Sequence, residues 1–69
     1  MLFEIGKFYR HNDGEEIAIL GELETTMYGK CLVAESSRSM DLKPVGNDAS
    51  CTANFHEITK KDWMKNFST

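Results

Sequence analysis

Proline is almost missing from this chain, with Pro44 the single example, and cysteine is represented only by Cys31 and Cys51. Two cysteines twenty residues apart do not make the dense disulfide framework that staples small secreted domains. The scarcity of soft ligands also excludes an obvious zinc motif. His11, Cys31, Cys51 and His56 are the candidates, and none forms a pair at the two-to-four-residue spacing that organises half a tetrahedron locally. Glycines 6, 14, 21, 29 and 46 are too dispersed to cradle a phosphate. No apolar run approaches the roughly 18 residues of a membrane-spanning helix, and "MLFEIGKFYRH" contains no signal-peptide core. A reducing cytoplasm with both cysteines free is therefore the expected setting.

What is present is a chain of 69 residues, 41% apolar and 28% charged, which reads as one small globular domain over 1–69. So short a chain buries only about 60% of the surface its unfolded form exposes, leaving little room for a deep catalytic pocket. The net charge of −3 is unlike the basic footprint of a dedicated nucleic-acid binder. Five acids and no base lie between Asp13 and Glu24, whereas Lys60, Lys61 and Lys65 gather near the end. The segment reads either as a solvated face or as an acidic surface for a basic partner.

The apolar pattern has mostly the period of two that belongs to strands. It predicts strands over about 2–10, 16–25, 30–35, 41–45 and 52–58, with Phe3, Ile5, Lys7 and Tyr9 on one face of the first. "HNDGE" reads as a turn, "SSRSM" and "GNDAS" likewise, and "TTMYGK" is ambiguous but could be the tip of a long hairpin. Gly21 falls where the alternation changes, which predicts a bulge or bend. Pro44 cannot donate to a ladder, so its strand is expected at a sheet edge. The period then changes. Thr59 followed by Asp62 resembles a capping box, and Ile58 with Trp63 has the spacing of a hydrophobic staple. A helix over about 60–67 follows, with Trp63 and Phe67 on one face.

Five short antiparallel strands closing on a terminal helix predict a mainly β fold, a small, partly open barrel of the SH3-like type. Phe3, Ile17, Ile19, Val33, Phe55 and Ile58 are its expected core, with Trp63 and Phe67 as a plug over an open barrel end. No catalytic, cofactor-binding or metal-binding residues are predicted. Cys51 with His56, or Cys31 with His11, lacks an evident third group and oxyanion site. The acids from Glu15 to Glu24 lack an apolar neighbourhood to raise a pKa.

Two binding classes stay open. Tyr9, Arg10, Met27 and Tyr28 are candidates for contact with a protein partner or a second copy of the chain. Alternatively, Phe8, Tyr9 and Arg10 could stack on single-stranded nucleic acid, with Lys60, Lys61 and Lys65 tracking phosphates. Neither a small-molecule substrate nor a membrane is indicated.

The stretches "GKFYRH", "CLVAE", "LKPVG" and "NFHEITKKDWMKNF" together resemble small uncharacterised proteins encoded by bacteriophages and prophages, over residues 6–67. The shared motifs are structural. The resemblance implies a cytoplasmic accessory or structural phage protein, one that alters a host protein, while the residues themselves favour a non-enzymatic module acting through contacts with another protein.

Overall fold

In the computed structural model, which describes residues 1–39 and 41–68, the chain forms five strands. These are β1 (Phe8–His11), β2 (Glu16–Thr25), β3 (Gly29–Ser36), β4 (Leu42–Val45) and β5 (Phe55–Ile58). One helical turn, α1 (Ala49–Thr52), separates β4 from β5, and α2 (Lys60–Met64) ends in a 3-10 turn over Lys65–Phe67. All strand pairs are antiparallel, in the order β4-β3-β2-β1-β5.

The expected barrel is corrected to a single open sheet, whose edges β4 and β5 share no ladder. The sheet nevertheless wraps one core. Val45 from one edge strand and Phe55 from the other pack against a buried cluster of Phe3, Tyr9, Ile17, Ile19, Leu32 and Ala34. The gap is bridged by the N-terminal arm instead. The Phe3 amide donates to Asn47 Oδ1 at 2.7 Å, Asn47 Nδ2 donates to the Phe3 carbonyl at 3.1 Å, and the Thr52 hydroxyl donates to the Met1 carbonyl at 2.6 Å.

That arm is where the period-two reading over 2–10 departs from the structure. Gly6 adopts φ of 88°, accessible to glycine at little cost, and the Lys7 amide turns back to the Glu4 carbonyl. Regular strand starts only at Phe8. Phe3 returns to the core while Ile5 is left in solvent.

The other departure is at 52–58, where strand starts at Phe55 because Asp48 caps a helical turn by accepting from the Cys51 amide at 2.9 Å. The remaining punctuation matches. The β2–β3 register slips between Ile19 and Gly21, leaving Leu20 as the extra residue of a bulge. Pro44 lies on edge strand β4. Gly29 closes the β2–β3 hairpin at φ of 66°. The turn read over 36–40 runs onto Met40, outside the described residues.

Register assigns the faces, because side chains of directly paired residues share one side of a sheet. Tyr9, Ile17 and Ser36 form an inner row, as do Ile19, Ala34 and Lys43. The outer face carries a continuous row across all five strands: Ile58, Phe8, Ala18, Glu35 and Leu42. Trp63 lands on the first three of these and is buried among them.

The capping box that launches α2 is complete: the Thr59 hydroxyl accepts from the Asp62 amide at 3.1 Å, and Asp62 accepts from the Thr59 amide. Trp63 is therefore a core residue, but of the outer face. It does not plug the inner core, because Ile58, on which it is stapled, points outward in the register. Phe67 meets the Trp63 ring edge-on at 5.4 Å yet stays 43% exposed, so it forms the rim of this cluster rather than a plug.

Candidate functional site

The outer face is only half covered. Beyond Ala18 its row continues with Glu35 and Leu42, the next row toward the hairpin tip pairs Gly21, Val33 and Pro44, and the next pairs Leu23 with Cys31. Leu23, Val33, Leu42 and Pro44, with Met27 and Tyr28 from the tip, line an apolar trough of about 360 Å³. Met27 is 84% exposed, Tyr28 69% and Leu42 65%. The hairpin holds them out because β2 and β3 remain paired as far as Thr25 and Gly29, beyond the last β4 partner, Val45. The Tyr28 amide donates to the Thr25 hydroxyl at 2.9 Å, fixing the turn.

Val33 is thus corrected from core residue to wall of the trough. The apolar run "CLVAE" does not reveal which alternate residues face inward, and the register sends Leu32 and Ala34 in, Val33 out.

Of the residues expected to meet a partner, Met27 and Tyr28 lie together on this surface. Tyr9 does not. It is 1% exposed in the inner core, beside Phe3 at 4.8 Å between ring centroids, and its hydroxyl accepts from the Glu4 amide at 2.8 Å. Register gives the reason: Tyr9 lies opposite Ile17 on the inner face. Arg10 is on the outer face but already engaged, its Nε donating to Glu16 Oε2 at 2.8 Å.

Glu16 is a residue that sequence reasoning misplaced. Read as a solvated strand-end acid, it is buried, with its second oxygen accepting from Asn66 Nδ2 at 2.7 Å. That pair ties the end of the terminal helix to the sheet.

The acidic run from Asp13 to Glu24 is also largely neutralised. Asp13 pairs with Arg38, Glu15 with Lys43, Glu16 with Arg10, and Glu22 loosely with Lys30 at 3.9 Å. The Ser36 hydroxyl, and then Lys43, hold the Glu15 carboxyl below its ordinary range. The partners lie 25 and 28 residues away for Asp13 and Glu15, so no local pattern announces them.

A second cleft, of about 750 Å³, opens at the far end of the inner face between Tyr28, Leu32 and Val45 and the polar residues Glu22, Lys30 and Asn47. It is the larger, but its charged pair Glu22–Lys30 and its polar wall resemble ordinary surface. The outer trough has almost no polar lining and is the stronger contact candidate.

Among the described residues no group of three or more His, Cys, Asp or Glu converges as a metal site. Cys31 is buried and Cys51 exposed, both as free thiols. His56 is exposed. No helix is long and apolar enough to cross a membrane among the described residues. Comparison with known proteins finds no matching family model, no similar curated protein and no similar solved structure.

Proposed function

We propose that this chain is a non-enzymatic binding module of the SH3-like class that works by gripping another polypeptide through its outer face. The SH3-like reading is supported by a five-strand meander in which β1 pairs with both β2 and β5, a long bulged β2, and a single helical turn between β4 and β5. The binding reading rests on one observation, the uncovered apolar half of the outer face. Apolar surface left in water forgoes about 25 cal/mol per Å² of stabilisation, and a small domain has little stability to spare. A contiguous patch of Leu23, Met27, Tyr28, Val33, Leu42 and Pro44 is best explained by something that covers it.

In keeping with the resemblance to phage-encoded proteins, the role is that of an accessory factor in the host cytoplasm. The nucleic-acid reading loses its stacking platform: Tyr9 faces the inner core, and Phe8 is stacked under Trp63 at 5.9 Å.

The test is affinity capture with matched variants. Leu23→Asp and Leu42→Asp are expected to abolish retention of a protein partner without lowering the melting temperature, while Lys7→Ala, away from the trough, leaves it intact. Retention unchanged by both trough variants would contradict the proposal. So would binding to single-stranded oligonucleotides that collapses with added salt.

A further inference from the structure

We infer that the occupant of the open outer half is a second copy of the chain, whose terminal helix lies across it in a two-fold, reciprocal arrangement. This rests on the reading that the trough is a contact surface, and names its partner. Three observations point to a copy.

The first is charge. Among the described residues, Glu35 at the open half forms no ion pair, and neither do Lys60 and Lys61 on α2. Lys60 and Lys61 are both exposed. The outer side of the sheet thus carries an unneutralised carboxylate, Glu35, and an unneutralised basic pair, Lys60 and Lys61, and each is what the other lacks.

The second is apolar match. The helix presents Met64 and Phe67 to solvent, respectively 48% and 43% exposed, beside those lysines. Lys60, Met64 and Phe67 are spaced by four and three residues, so they share one side of the helix. A basic helix with two large apolar side chains is the complement of an apolar trough that Glu35 borders through its neighbour Leu42.

The third is shape and position. The helix stands on Ile58, Phe8 and Ala18, and the outer row then continues bare through Glu35 and Leu42. Raised and recessed halves therefore adjoin on one face. A two-fold axis in the plane of the interface, along their boundary, places each copy's helix over the other's trough. Both contacts form at once, and the arrangement closes at two copies. A standard interface takes about 800 Å² per partner, roughly a sixth of the 4669 Å² the monomer exposes, which one face of the sheet can supply.

Sedimentation velocity over a concentration series tests this. The wild-type chain is expected to move from the 7.9 kDa monomer to twice that mass, without larger species. Glu35→Lys, and separately the pair Lys60→Glu and Lys61→Glu, should each weaken association about 10-fold or more. Combining all three exchanges the signs on the two sides and should restore association toward wild type. Circular dichroism melts establish that each variant is folded. Because Lys60 and Lys61 make no ion pair, the helix variant tests the idea even if Glu35→Lys fails to fold.

A monomer at every concentration, open-ended assembly, or a combined variant no better than its components would overturn the reciprocal dimer. A monomer that still captures another protein through Leu23 and Leu42 overturns only the dimer and leaves the contact-surface reading standing. Loss of both would bring down the two together.

Discussion

Replacing Trp63 with alanine should come close to unfolding the protein. The indole is 4% exposed and is the main attachment of α2 to the sheet, packed on Phe8, Ala18 and Ile58. A buried tryptophan removes roughly 200 Å² of surface from water, worth about 5 kcal/mol at 25 cal/mol per Å². Measured Trp→Ala losses run about 3–5 kcal/mol. The lower end applies here, because α2 and its 3-10 extension lie at the surface and can settle into part of the space. A loss of about 3 kcal/mol rivals the whole stability of a domain this size. At about 4–8 °C per kcal/mol, the melting temperature should fall by at least about 12 °C. The assay is far-UV circular dichroism against temperature, since Trp63 is the only tryptophan and its fluorescence is lost with it. Trp63→Phe should fall between the two. A melting temperature within about 4 °C of wild type would refute the reasoning and show that the fold does not depend on the Trp63 ring.

Three further outcomes follow from the same contacts. Thr59→Ala removes one half of the capping box and should cost about 1 kcal/mol, read as a shift of about 4–8 °C in a thermal melt. Glu16→Gln keeps the shape but removes the charge that Arg10 and Asn66 share, and urea titration should show a loss of about 1–2 kcal/mol, modest because Arg10 is partly solvated. Asp48 is pushed down to about 2, chiefly by the Ser50 hydroxyl and then by the Cys51 amide, and Asp13, Glu15 and Asp62 are lowered as well. Carboxyls depressed on folding contribute stability above their ordinary values of 3.8 to 4.5 and lose it as pH falls through the folded values. The melting temperature should therefore hold near neutrality and drop as pH falls from about 4.5 toward 2, less steeply in Asp48→Asn. A main loss near the histidine range, about pH 6.5, would contradict this.

Local signals carried much of the fold into view. The cap at Thr59, the staple of Ile58 with Trp63, the slip at Gly21 and the edge position of Pro44 each depend on residues within a few positions of one another. Apart from the local cap that Asp48 gives to the turn before Phe55, the departures have non-local causes. Gly6 permits a turn but does not require one, and it is the return of Phe3 to Asn47 that fixes the arm. An apolar run such as 31–34 fits either phase, so the outward placement of Val33 was decided by its partners Gly21 and Pro44. Tyr9 alternates with Phe8, and both faces of β1 prove to be covered, one by the core and one by the helix. The candidate site was half legible. Met27 and Tyr28 at a hairpin tip announced exposure, but Leu23, Val33, Leu42 and Pro44 come together only once three strands are in register.

The claim at the centre of this account is that the outer trough touches a polypeptide. A photo-crosslinking amino acid at position 42, with position 57 as the comparison, tests it within the cell. Adducts to protein, another chain or a second copy, formed from position 42 and not from position 57, are the predicted result. Adducts from position 57 alone, or nucleic acid as the species captured from position 42, would contradict it.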